Sequence, residues 1–385
     1  MFYVLVLVFW TTIFLGLTTY LFYPVSLALL SLFLKQRPRK AEYYPRISII
    51  ISAFNEEKDI SRKITNTLEL DYPKDKLEIL IGSDGSTDGT NRILKELDDE
   101  QCRIFVFEQN RGKTSVQNDL VDHATGDILV FTDAASFLPA DSVHKMIMNF
   151  ADERVGCVAG RMRFINTDNN ITTQSQGIYW RYEVKIREME SMLGSLIGVD
   201  GPLYAVRTTN YVPLANNIIS DLITPLLVLE QGKKVYLERD AIVEEEPTQK
   251  GQHEFTTRRR ITLRGLVGLF SHSSLLNPIK HPLLTLQIFC HKLLRWFVGP
   301  LIIINFISCF LLLFYNVQFF YYFFALYLIF FAAAYAGRVF EQKGVKHRIL
   351  AIPYYFLLVN TAATLGIVDF FKKKQAVTWQ TERGP

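Results

Sequence analysis

The chain has 385 residues, 49% of them hydrophobic and 13% aromatic, with 29 Phe and 18 Tyr crowded toward its two ends. That length exceeds one ordinary domain, and with apolar ends it implies a single soluble domain, large enough to bury a core, plus membrane segments. The net charge of +4 comes with no basic stripe interleaved with stacking aromatics, which excludes a nucleic-acid-binding surface.

Residues 2 to 34 contain no charged side chain, and about 20 apolar residues are enough for a helix to cross the hydrocarbon core. One retained span is expected, with Pro24 near its inner end. A cleaved signal peptide would need a basic region before the apolar run and a small-residue cleavage site after it, and neither is present. The flank Lys35, Arg37, Arg39, Lys40 and Arg46 is basic, and basic flanks stay cytoplasmic. The polar core is therefore expected in the cytosol, anchored to the inner or plasma membrane.

From Arg46 onward, short β-branched runs alternate with polar helical stretches, the signature of a largely parallel sheet with covering helices. Strands are predicted at Ile47 to Ser52, Leu77 to Gly82, Arg103 to Phe107 and Ile128 to Thr132, nearly all apolar as in strands buried on both faces. Helices are predicted at Glu56 to Leu68, Thr87 to Leu97 and Lys113 to His123. In such sheets ligands bind beyond the carboxyl ends of the strands, where helix N-termini offer free N–H groups. Those ends carry Ala53-Phe54-Asn55-Glu56-Glu57, Ser83-Asp84-Gly85-Ser86-Thr87-Asp88 and Asp133-Ala134-Ala135-Ser136. A carboxylate there can accept from a base N–H or a ribose hydroxyl, or bind a divalent cation that neutralises a diphosphate. Taken alone, the segment around Asp84 reads equally well as a turn followed by a helix cap. A P-loop NTPase or a dehydrogenase is disfavoured, because neither a Walker A sequence nor Gly-x-Gly-x-x-Gly occurs.

Downstream, a third acid, Asp221, lies in Ile218-Ile219-Ser220-Asp221-Leu222-Ile223-Thr224-Pro225. Ser273 to Arg295 mixes apolar residues with Lys280, His281, His291, Lys292 and Arg295, as a headgroup-layer segment or an ordinary junction would. Apolar stretches follow at about Trp296 to Tyr315, Phe319 to Gly337 and Ala351 to Phe371. Four full spans from an outside N-terminus would leave Lys372, Lys373 and Lys374 outside, against the positive-inside tendency; otherwise the last segment is re-entrant or interfacial. A transporter is excluded because these segments hold few buried ionisable groups. Cys102, Cys157, Cys290 and Cys309 are scattered without metal spacing and are expected reduced. The sequon Asn170-Ile171-Thr172 carries no weight in a cytosolic loop, and no internal repeat or low-complexity tract is present.

At the strand ends and at Asp221 the chain resembles an inverting family-2 glycosyltransferase of the GT-A fold. The group it resembles is the membrane one that includes hyaluronan, chitin, cellulose and poly-N-acetylglucosamine synthases. The resemblance runs from the anchor through Val377-Thr378-Trp379. It implies an α/β fold: a GT-A nucleotide-sugar-binding domain with a mostly parallel sheet, plus N-terminal and C-terminal transmembrane helices. The expected organisation is an anchor at 1–34, a catalytic domain at 35–272, an interfacial segment at 273–295, a membrane region at 296–371 and a tail at 372–385.

By the resemblance, Ala53, Asn55, Glu56 and Asp84 line the nucleotide site, with Asp84 reading a uracil. Lys113, in Asn110-Arg111-Gly112-Lys113, either approaches the nucleotide or is a solvated lysine at a helix start. Asp133 matches the first acid of the family's Asp-x-Asp motif, which binds Mg²⁺ or Mn²⁺, whereas Ala135 replaces the second. Ser136, another side chain or water would then complete the metal shell. Asp200, Gly201 and Tyr204, within Gly198 to Arg207, fall on the acceptor side of the pocket. Asp221 matches the catalytic acid: inversion needs a base to deprotonate the acceptor hydroxyl, although in isolation this residue also reads as a helix N-cap. Arg258 and Arg260 stand where processive synthases carry Gln-x-x-Arg-Trp; both that Gln and that Trp are missing. These arginines would offset charge on the leaving diphosphate.

The resemblance implies a nucleotide-sugar donor, a UDP-sugar, and a glycan or lipid-linked acceptor at the cytoplasmic face. It also implies contact with membrane lipid and with polysaccharide-export or synthesis partners. Processive synthesis and single addition both remain open, and a catalytically silent nucleotide-binding subunit is the competing class.

Overall fold

The computed structural model describes residues 1–165, 171–246, 251–345 and 347–378. The sequon asparagine Asn170 and the terminal Trp379 lie outside the described residues.

Seven strands, β1 (Ile47–Ala53), β2 (Leu77–Asp84), β3 (Cys102–Phe107), β4 (Ile128–Asp133), β5 (Val155–Phe164), β6 (Leu203–Arg207) and β7 (Lys234–Glu245), pair in one sheet. Their order is β3-β2-β1-β4-β6-β5-β7. The first four are parallel, β6 runs antiparallel between β4 and β5, and β7 is parallel to β5. The mostly parallel sheet expected from the apolar runs is present, and β1 is buried along its whole length because covering layers close both faces. Ile49 and Ile51 pack into one core, and Ile50 and Leu80 into the other.

The helices are α1 (Phe2–Leu17), α2 (Tyr23–Phe33), α3 (Ile60–Leu68), α4 (Thr90–Lys95), α5 (Lys113–Asp122), α6 (Ser142–Ile147), α7 (Ile171–Met192), α8 (Ser220–Glu230), α9 (Gly251–Ser271), α10 (Pro282–Gln287), α11 (Leu294–Leu312), α12 (Gln318–Gln342) and α13 (Arg348–Phe371). The helices after β1 and β2 start later than predicted, at Ile60 and Thr90, because the loops that precede them carry polar residues of the strand ends, whereas the helix after β3 starts at Lys113 as predicted. All four cysteines are free thiols.

Four stretches are long and apolar enough to cross a membrane: Phe2–Phe33, Pro282–Tyr315, Gln318–Gln342 and Ile349–Phe371. The first joins α1 and α2 through a π-helical turn at Thr18–Phe22. Pro24 has no N–H to return to the Tyr20 carbonyl, and that oxygen instead accepts from Tyr182 Oη at 2.9 Å. The second is continuous from α10 through a π-helical turn at Ile288–Leu293 into α11, so the chain has no helix break at Trp296. Asn305 ties α11 to α1 by donating to the Phe9 carbonyl at 2.7 Å and to Thr12 Oγ1 at 2.6 Å, a buried polar link of the kind that holds apolar helices together.

The last apolar helix, α13, lies along α9. Tyr355 Oη donates to Glu254 at 2.6 Å, Arg259 donates to Asp369 at 2.9 Å, and the Phe370 and Phe270 rings stack at 5.3 Å. Gly366 lets α13 come up against Thr262. From Tyr355 to Phe370 α13 therefore abuts the sheet domain, Lys374 pairs back to Asp369 at 2.9 Å, and Val377 packs on Gly112. Of the two arrangements that the sequence leaves open, this geometry has Lys372 to Lys374 on the side of the sheet domain.

Candidate active site

A cavity of about 1110 Å³ opens at the carboxyl ends of β1 and β4 and extends to the membrane-length helix that carries Lys292 and Trp296. Neighbouring strands on either side of β1 converge there: Ser52 is in register with Asp133, and Ala53 with Ser83. This is the crevice at a topological switch point where α/β sheets bind ligands.

Asp84 ends β2, fully buried, with its two carboxylate oxygens accepting from the Arg111 and Gly112 N–H groups, each at 2.8 Å. It fixes the loop that starts α5, and Gly112 meets that geometry at φ 90°, which L side chains rarely adopt. Asn55, at φ 53°, accepts from Thr87 N–H at 2.8 Å and gives its own N–H to Ser86 Oγ at 3.1 Å. Ala53, Asn55 and Asp84 thus form the wall behind the cavity, whereas Glu56, Lys113 and Asp133 line it.

Lys113 Nζ pairs with Asp133 Oδ1. Beneath them Lys63 is fully buried and donates to Thr132 Oγ1 at 2.8 Å and to the Ser136 carbonyl at 2.6 Å. Burial pushes this lysine down to about 7, with Asp133 opposing. Ser136, expected near the metal, is buried away from the cavity instead, while Ala134 and Ala135 face it. Among the described residues no group of three or more His, Cys, Asp or Glu side chains could hold a metal ion. Asp133 lines the cavity, and a cation bound there would need donor phosphates and water for its other positions, as Mg²⁺ sites on nucleotides commonly do.

Asp221 also lines the cavity from the first turn of α8, and its carbonyl accepts from Val199 N–H at 2.9 Å. A Cβ added at Gly201 would lie 3.3 Å from Asp221 Oδ2 and 3.5 Å from Lys113 Nζ, so glycine is what lets the acid, the lysine and the loop converge. Burial raises the Asp221 carboxyl above 3.8, and Lys113, Arg187, Lys292 and Arg264 pull it back. Asp200 pairs with Arg187 and is likewise raised by burial.

Tyr204, expected on the acceptor side, does not line the cavity. It is fully buried in the sheet core with its ring stacked on Phe131 at 4.7 Å. The strand β6 is covered on both faces, so alternation along it turns Tyr204 inward with Val206.

Arg258 is held by Glu254 at 2.8 Å and lies over the Tyr179 ring. Arg260 lines the cavity and makes no hydrogen bond or ion pair among the described residues. Arg264 stitches α9 to the site by donating to Thr114 Oγ1 at 2.9 Å and to the Ile218 carbonyl at 2.6 Å. Burial, with Arg260 adding, lowers it to about 10.

The sequence reading missed Lys63, Arg187 and the cluster around Glu183. The signal available for the last was the spacing of Glu183, Arg187 and Glu190, which puts three charges on one face of α7.

The profile of "Glycosyl transferase family 2" matches residues 48–208. A beta-monoglucosyldiacylglycerol synthase from Nostoc sp. is 31% identical over 198 residues, 49% of this chain and 42% of that protein. A poly-beta-1,6-N-acetyl-D-glucosamine synthase from Staphylococcus aureus is 29% identical over 158 residues, 40% of this chain and 38% of that protein. The chain thus matches about two fifths of the length of these curated relatives. Among solved structures, the mannosyltransferase PcManGT from Pyrobaculum calidifontis, in complex with GDP-Man and Mn²⁺, superposes with a TM-score of 0.73. At 21% identity it covers 96% of this chain and 100% of its own, a likeness of fold that includes the membrane-length helices. The sheet order, the strand-end acids and the matching profile together give a GT-A-like sheet domain flanked by membrane-length helices, similar over residues 48–208 to glycosyl transferase family 2.

Proposed function

We propose that the protein transfers a sugar, with inversion, from a nucleotide-diphosphate donor to a lipid-linked or growing glycan acceptor at the cytoplasmic membrane face. The observation that carries this reading is one continuous cavity lined by Asp133, Lys113 and Asp221 and also by Lys292 and Trp296 of a membrane-length helix. The donor is a UDP-sugar, with its diphosphate between Lys113, Asp133 and Arg260. Bound at Asp133, Mg²⁺ or Mn²⁺ would supply charge neutralisation for the diphosphate. Asp221 takes the acceptor proton as the hydroxyl attacks the anomeric carbon from the face opposite the diphosphate. Arg260, with no partner among the described residues, meets charge as it builds on the leaving group.

Lipid-linked acceptors are favoured over long-chain synthesis, because the stacking Trp of the processive motif is absent and the cavity reaches membrane-level residues. Incubation with radiolabelled UDP-sugars and membrane lipid extract should move label into the organic phase. Label that stays aqueous, despite donor consumption, would argue for a soluble acceptor.

Two variants probe the donor side. Asp84→Ala should weaken UDP binding by about tenfold or more, because each buried N–H left without its acceptor costs about 1–3 kcal/mol and the Gly112-Lys113 loop loosens. Unchanged affinity in a calorimetric titration would reduce Asp84 to a turn residue. Arg260→Ala should slow the chemical step by about 10²-fold with little change in donor affinity. A pure binding defect in single-turnover kinetics would remove Arg260 from leaving-group stabilisation.

A further inference from the structure

The membrane-side end of the cavity is built around a buried carboxylate, Glu183 of α7. Arg187 Nε donates to its Oε1 at 3.2 Å, His291 Nε2 lies 3.1 Å from the same oxygen, and Arg295 pairs with Oε2. His291 Nδ1 faces Glu190 at 2.7 Å, and Arg187 also pairs with Asp200. Three carboxylates therefore face four basic side chains, of which Lys292 is the most loosely held. Its Nζ is 3.7 Å from Glu183, and it makes no hydrogen bond among the described residues.

Lys292 belongs to the π-helical turn Ile288–Leu293, and such turns gather at functional sites. A charged side chain inside a membrane-length helix is costly unless it faces a cavity or a partner. Lys292 faces this one: it lines the cavity, with its Nζ 3.5 Å from where a Cβ on Gly198 would stand. It is also near enough to Asp221 to act on that carboxylate. An ionised Asp221 would repel an incoming anion, and a cation beside it on the acceptor path removes that barrier.

We propose that Lys292 recognises a negatively charged group on the acceptor, so that the acceptor is an anionic amphiphile. It would bear a phosphate or a carboxylate next to the oxygen that attacks the donor sugar. This rests on the transferase reading of the cavity and names the acceptor's chemical class.

The test uses the full chain in nanodiscs of neutral lipid and measures binding within two matched pairs, without donor. The pairs are a phosphatidylglycerol, whose glycerol hydroxyls lie next to its phosphate, against a diacylglycerol, and a glucuronosyl-diacylglycerol against a glucosyl-diacylglycerol. The wild type should bind the anionic member of one pair at least about tenfold tighter, and the pair concerned tells phosphate from carboxylate. Lys292→Gln should bring both members within about twofold, and Lys292→Arg should keep the preference. Retained UDP binding in both variants certifies their folding. Equal binding within both pairs by the wild type, or a preference that survives in Lys292→Gln, would overturn the inference. A separate donor panel keeps the two readings apart. No UDP release from any donor with any acceptor counts against the transferase, whereas release with neutral lipids alone counts only against the anionic acceptor.

Discussion

Replacing Asp221 by Asn is expected to lower sugar transfer by about 10²–10⁴-fold, the usual contribution of a positioned general base, while UDP affinity stays close to that of the wild type. The separation follows from chemistry. Asp221 stands in the first turn of α8 close to Lys113, and asparagine keeps its size and its place beside that lysine while losing the capacity to take a proton. The pH dependence supplies an independent check. Burial raises the Asp221 carboxyl above its ordinary 3.8, and a base works only when deprotonated. The acid limb of kcat/KM should therefore fall above pH 3.8, and Lys113→Met, which removes a charge that lowers this carboxyl, should move the limb further up. Full turnover by Asp221→Asn would end the assignment, whatever the pH profile.

Glu183→Ala is expected to be the most destabilising single substitution in the site, at about 3–5 kcal/mol, the scale for breaking a buried charge network by deleting one partner. Glu183 is 3% exposed and takes Arg187, His291, Lys292 and Arg295 on its two oxygens. Burial works against its charge, yet His291, Arg295 and Lys292 hold the carboxyl well below its usual range. Its loss would leave buried cations from α7 and from the membrane-length helix facing one another. Thermal unfolding of the purified protein measures the effect, and Glu183→Gln, which keeps shape and an acceptor but no charge, should fall between alanine and wild type. A melting temperature unchanged in Glu183→Ala would mean that water screens these charges.

The sheet half of this architecture is legible in the sequence because local rules and the tertiary structure agree there. Ile47 to Ala53 and Ile128 to Asp133 are continuous apolar runs that end in polar residues, and a parallel sheet puts those ends on one rim. Asp84, Asp133 and Asp221 fall at an element's end or first turn. Other residues follow from contacts that no local pattern encodes. Tyr204 sits in a strand buried on both faces, so alternation does not reveal which neighbour faces the ligand. Ser136 is turned inward by the loop that Lys63 anchors from below, 73 positions away in sequence. The course of α13 is equally hidden: its composition is that of a spanning helix, and contacts such as Tyr355 on Glu254 and Asp369 on Arg259 are what show that it lies along the sheet domain. Glu183, Arg187 and Glu190 did leave a helical spacing, but their partners His291 and Arg295 come from a helix more than 100 residues later.

The most direct test of the account is UDP release by the purified protein in nanodiscs, with lipid extract and Mg²⁺ or Mn²⁺, across UDP-sugars and GDP-mannose. The expected result is release from one UDP-sugar, dependent on the metal, stimulated by the extract and absent in Asp221→Asn. Silence with every donor despite measurable UDP binding, or release that Asp221→Asn leaves intact, would contradict it; the first outcome would favour a nucleotide-binding subunit that performs no transfer.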